Sequence, residues 1–151
     1  MRVYFAPEFC ITRALHDGGF QSVLYDVLPS VMFDYVSYSA YESINAAQPG
    51  DTLTADLNTI REVTGSRSII LGEIGFSQSA WGTAAISRTS EVLAAADSWG
   101  VSYVFVWNLY DSSVGDDYGA YGTDGTLTDL GAYYQGILSG TAGRRGAPIS
   151  F

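Results

Sequence analysis

Four short blocks, dense in β-branched and aromatic residues, fall at positions 2–6, 33–39, 68–74 and 101–107. Between them, apolar positions recur every three to four residues. The blocks are predicted as buried strands and the intervening stretches as helices. The clearest helical stretch begins at Thr52, where Leu53, Leu57, Ile60 and Val63 share one face before Gly65 provides a stop. The others are predicted over 19–28, 84–99 and 127–138. A β-α-β-α-β-α-β-α order implies a parallel sheet with right-handed crossovers, because parallel neighbours need a connection long enough to return along the sheet.

The spacing narrows the architecture. Strand centres at Val36, Ile70 and Val104 are 34 residues apart, and Tyr4 precedes Val36 by 32. Modules this regular suit a (β/α)8 barrel, whose eight units need about 250 residues; four units are expected here. The fold class expected is therefore α/β, a half-barrel of four βα units over residues 1–139. Residues 140–151, rich in Gly and Arg and without apolar periodicity, are expected to form a flexible tail. An open doubly wound sheet is the alternative, but Ala6-Pro7-Glu8-Phe9 bears no likeness to a glycine-rich phosphate loop.

Composition sharpens the picture in two places. The 151 residues are 47% hydrophobic and 15% charged, a balance that excludes disorder and implies enclosure of much apolar surface, by a second chain if not by this one. With a net charge of -9 and seven Lys and Arg in total, the chain lacks the cations that a nucleic-acid groove needs. Cys10 and His16 are each the single residue of their type, so no thiolate cluster or metal site is expected, and the two are read as packing or surface residues. No apolar run reaches the roughly 18 residues of a membrane span. The start lacks the basic and apolar regions of a signal peptide, and the chain is expected to be soluble.

The residue that carries most chemistry is Glu73. It closes the apolar run Ser68-Ile69-Ile70-Leu71-Gly72-Glu73-Ile74-Gly75, where an unpaired buried carboxylate would cost several kcal/mol. At the C-terminal end of a parallel strand it would instead face the rim where sites are built. The segments after the other strands contribute Glu8 and Phe9, then Tyr38, Tyr41 and Glu42, then Trp107, Asn108, Tyr110 and Asp111. Such a rim suits a carbohydrate, since aromatic faces stack on sugar rings and carboxylates bond their hydroxyls. Aromatic capping of the core is the lesser alternative for the group as a whole. Glu73 would serve as a nucleophile in glycoside hydrolysis if a second carboxyl group stood about 5 to 5.5 Å away.

On these residues the chain resembles the C-terminal half of the (β/α)8 retaining glycoside hydrolases of the cellulase and β-galactosidase clan. Gly72-Glu73-Ile74-Gly75 resembles the end of their strand seven, and Val104-Phe105-Val106-Trp107 the end of strand eight. Residues 34–41 resemble the strand-six segment, and 121–131 the final turn into helix eight. The resemblance implies Glu73 as nucleophile, Trp107 as sugar platform and Tyr38 as the partner orienting Glu73. Tyr41, Glu8, Asn108 and Asp111 are candidate substrate-binding positions as rim residues, with no firm family role, and no metal or cofactor is expected. The family's acid/base glutamate lies in an Asn-Glu motif after strand four, and no Asn-Glu pair occurs in this sequence. The chain is accordingly expected to be weakly active or inactive alone.

Half a barrel would leave strand edges and an apolar face open. A homodimer, or a partner chain supplying the N-terminal half-barrel, is the expected remedy. The alternative function is a carbohydrate-binding or assembly module that completes a barrel in the same way.

Overall fold

Strands β2 (Val36–Ser39), β3 (Ile69–Ile74) and β4 (Val104–Val106) lie parallel in the computed structural model, which describes residues 8–10, 16–65, 68–113 and 117–140. A two-residue strand, β1 (Glu8–Phe9), extends the sheet along β2, so the spatial order is β1-β2-β3-β4. The protein is thus an α/β fold built on a parallel sheet.

Register divides the sheet into two faces. Val36 pairs with Ile69, Tyr38 with Leu71, and Leu71 with Val104. Paired residues of parallel strands point the same way, and successive residues point oppositely. Val36, Tyr38, Ile69 and Leu71 accordingly join one buried core with Leu53, Leu57 and Ile60 of α2 (Pro49–Thr64) and Val92 and Ala96 of α4 (Ala84–Trp99). Here α1 denotes Tyr41–Asn45, α3 Gln78–Trp81 and α5 Asp129–Leu138. The opposite face differs along its width. Ser37 and Ser39 of β2 are buried, whereas Tyr103 and Phe105 at β4 are 59% and 54% exposed.

Glycines end the two long helices as their positions predict. Gly65 and Gly100 adopt φ of 68° and 92°, left-handed conformations that cost an L side chain energy, and each amide closes back onto its helix. Helix α4 occupies the predicted range. Helix α2 begins three residues before Thr52, with Pro49 in its first turn, where a missing N–H costs nothing. Thr128 caps α5, its side chain accepting the Gly131 N–H at 3.0 Å.

Two expectations need correction. No continuous α-helix spans 19–28: a π-helical turn at Val23–Val27 leads into a 3-10 turn at Leu28–Ser30. Gly19 at φ 80° precedes this segment, β-branched Val23 and Val27 weaken helix formation within it, and Pro29 limits its continuation. Glu8 and Phe9, expected in a loop after the first strand, are themselves the described strand. The strand expected at 2–6 and the tail beyond 140 lie outside the described residues. A run of four complete βα units is therefore not what the described elements amount to. Short helices α1 and α3, which sequence periodicity did not reveal, follow β2 and β3 directly.

Candidate functional site

The C-terminal ends of β2 and β3 are tied together by a backbone bond from the Ala40 N–H to the Glu73 carbonyl, 3.0 Å long. The pairing slips between Tyr38 and Ser39, so that Ser39 stands opposite Glu73 and Gly72 is passed over. The chain turns at Ala40 into α1, and Tyr41 begins that helix beside Glu73. Burial first, then hydrogen bonding toward the Glu73 carboxylate and its charge, hold the Tyr41 phenol well above its ordinary range. Glu73 is half-buried and forms no ion pair among the described residues.

Tyr38 does not orient Glu73. Its side chain is wholly buried on the helix-covered face, and its hydroxyl donates to Asp56 Oδ2 of α2 at 2.9 Å. Ser43 Oγ donates to the same oxygen at 2.7 Å. Asp56 is 1% exposed, so these donors supply the hydrogen bonds that a buried carboxylate needs. Burial first, and the Asp56 charge second, drive the Tyr38 phenol upward as well. The strand's two-residue period explains the exchange: Tyr38 shares the face of Val36, and the site instead recruits the tyrosine just past the strand end.

Trp107 directly follows the last residue of β4. Its N–H donates to the Ile74 carbonyl at 2.6 Å, and Ile74 pairs with Val106 on the core side. Alternation puts Trp107 on the Glu73 side, where it is 48% exposed. The peptide joining Trp107 to Asn108 is cis. Asn108 turns inward: its carbonyl accepts the Ala120 N–H at 3.0 Å, while its buried Oδ1 has no hydrogen-bond partner among the described residues. Glu8 stands opposite Ser37, level with Ile70. Its backbone is two or three residue steps below Glu73, on the order of 7–10 Å along the strand. The Glu8 backbone therefore sits below the strand end that carries Glu73.

Asp111 also departs from the expected rim. It is 8% exposed, and Oδ1 accepts the Tyr118 N–H at 3.1 Å and the Gly119 N–H at 2.8 Å. It is a brace for the returning chain, not a group open to ligand. Gly119 allows that approach: an added Cβ would stand 2.8 Å from Asp111 N and 2.9 Å from Asp111 Cγ. A second brace joins the same segment to the loop after β3. Asp117 Oδ2 accepts Ser77 Oγ at 2.8 Å and the Ser79 N–H at 2.6 Å, while the Gln78 N–H donates to the Asp117 carbonyl at 2.9 Å. Partial burial works against the charge, but these serine bonds prevail and hold the Asp117 carboxyl below its usual range.

Tyr118, between the two braces, is the residue that sequence reasoning missed. A Cβ placed on Gly75 would lie 3.2 Å from Tyr118 Cδ1 and would overlap the Trp107 carbonyl. Tyr118 is half-exposed, and its phenol is near enough to Tyr41 to oppose that group's ionisation. Cys10, which follows β1, exerts the same influence on Tyr41. His16 is remote from this chemistry in kind, stacking on Tyr25 with centroids 3.9 Å apart.

The support beneath Tyr41 is Arg88 of α4. Its Nη2 donates to the Ile44 carbonyl at 2.8 Å and also to the Ala46 carbonyl, satisfying the C-terminal end of α1. No group of three or more metal-ligating side chains occurs among the described residues, and no described helix is long and apolar enough to cross a membrane. Glu73 thus presents one half-buried carboxylate that acts on the Tyr41 phenol, on the same side of the sheet as the exposed Trp107 indole. Compared with protein-family models and with curated proteins, the chain matches none.

Proposed function

We propose that this chain carries the nucleophile half of a retaining glycosidase site on a half-barrel of βα modules. The observation that carries the reading is the half-buried Glu73 carboxylate at the end of β3, with Trp107 on the same side of the sheet and the Tyr41 phenol raised by its charge. In this reading a Glu73 oxygen attacks the anomeric carbon as the bond to the leaving oxygen breaks, and Trp107 receives an apolar sugar face. Tyr41 donates its hydroxyl toward the attacking carboxylate in this reading. Departure of an ordinary alcohol needs a proton, and hydrolysis of the glycosyl-enzyme needs a base. Glu73 supplies neither, so an acid/base group from another chain, or very slow turnover, completes the reading.

An activated leaving group separates these steps. A 2,4-dinitrophenyl 2-deoxy-2-fluoro-β-glycoside, tried in gluco and galacto configurations, departs without acid help and leaves the sugar on the nucleophile. Stoichiometric labelling mapped to Glu73 by peptide mass spectrometry, and absent in Glu73→Gln, is the expected result. No labelling, or labelling unchanged in Glu73→Gln, overturns it. Cellobiose binding that survives Glu73→Gln but is lost in Trp107→Ala would favour a carbohydrate-binding module instead.

A second copy of this chain is the proposed means of covering the open end of the sheet. Exposed Tyr103 and Phe105 at β4, together with exposed Phe20, Val23, Val27 and Met32 in and around the π-helical turn, favour it. Light scattering should give twice the chain mass at micromolar concentration, and Phe105→Lys should halve it. A single-chain mass for the unaltered protein would count against self-association and leave a separate partner chain as the completing half.

A further inference from the structure

The strand end that bears the proposed nucleophile is met at Gly75 by a residue from the segment after β4. Tyr118 enters from the long segment after β4, and three independent contacts set its position. Asp111 holds its amide and that of Gly119. Asp117 fastens the preceding residue to Ser77 and Ser79, just beyond β3. The ring itself meets the chain at Gly75, two residues past Glu73, where no side chain would fit. The two aspartates spend their bonds on the backbone and on serines, leaving the phenol of Tyr118 uncommitted to either brace. A half-exposed aromatic fixed this firmly, beside the Tyr41 phenol, has the attributes of a built wall and not of a loose surface ring.

We propose that Tyr118 is a substrate-contacting residue of the Glu73 site, closing it over Gly75 and bonding a hydroxyl of the bound sugar. This rests on the glycosidase reading of Glu73. Its ring gives an apolar edge and its hydroxyl gives one donor and one acceptor, a combination that discriminates among sugar hydroxyls more than an aliphatic side chain would. The mounting also explains why both glycines, 75 and 119, are required: each lets a backbone approach that any Cβ would block.

The test is the concentration dependence of labelling by the same dinitrophenyl fluoroglycoside in the full chain, compared for the unaltered protein, Tyr118→Phe and Tyr118→Ala. It yields an inactivator binding constant and a separate limiting rate of attack. Tyr118→Ala should weaken binding about 10-fold, equivalent to about 1.4 kcal/mol, and Tyr118→Phe about threefold, with the limiting rate changed less than the binding. Urea midpoints and far-ultraviolet circular dichroism identify folded variants; should the alanine variant unfold, the phenylalanine variant decides alone. Glu73 labelling with unchanged binding in the folded variants overturns the role of Tyr118 while leaving the nucleophile intact. Failure of the unaltered protein to label overturns both.

Discussion

The guanidinium carbon of Arg88 lies 3.7 Å from the centroid of the Trp81 ring, with Phe76 at 5.8 Å. The side chain is 9% exposed and makes no ion pair among the described residues, so its charge is held by ring faces and by the carbonyls of Ile44 and Ala46. Lysine cannot reproduce a planar fork stacked on an indole. Arg88→Lys should lower stability by about 2–4 kcal/mol, read as a lower urea midpoint. Because α1 carries Tyr41, the same variant should slow Glu73 labelling even where it remains folded.

Replacement of the two candidate tyrosines should separate packing from chemistry. Tyr38→Phe removes one donor from Asp56 and should cost about 1–2 kcal/mol of stability while leaving the rate of Glu73 labelling within about twofold. Tyr41→Phe should do the reverse, changing the labelling rate by about 10-fold with less loss of stability. Equal effects of the two on labelling would contradict the face assignment.

The tyrosines also set an alkaline limit. Burial pushes the Tyr134 phenol up to about 12 from 10.0, and the Tyr38 and Tyr41 phenols are raised further. A raised folded value means that the native state retains protons which the unfolded chain has released. The resulting stabilisation is complete below about pH 10 and declines as pH rises through the folded value. Urea midpoints should fall from pH 10 to pH 12, and tyrosinate absorbance should appear in two phases, the exposed phenols first and these three with unfolding.

Gly75→Ala tests the close approach beneath the site. The added methyl would press on the Trp107 carbonyl and on the Tyr118 ring, and should cost about 1–3 kcal/mol through overpacking. Labelling should fall more than in Tyr118→Ala, since both Trp107 and Tyr118, which meet the chain at Gly75, would move. Serine at this position should behave like alanine.

The place of Glu73 near the end of a strand was legible from the apolar run it closes, and α4 from a periodicity bounded by Gly100, whose φ is 92°. The identity of its phenol was not. Tyr38 and Tyr41 both stand near the end of β2, and only knowledge that the strand stops at Ser39 separates a core-facing residue from one on the following helix. Position 19 carried a warning, since a glycine before two valines and a proline seldom opens a regular helix. Tyr118 was illegible for a different reason. Its placement depends on bonds from Asp111 and between Asp117 and Ser77, and the latter pair spans 40 residues that no local pattern connects.

The Ala40–Glu73 bond has a consequence for how the site would be watched. The Ala40 amide donates to the backbone of the residue that bears the candidate nucleophile, and Tyr41 follows it directly. Any fluctuation that parts the ends of β2 and β3 must expose that amide to solvent and withdraw the phenol together. Deuterium uptake at this single position would therefore time the opening of the site in the absence of any sugar.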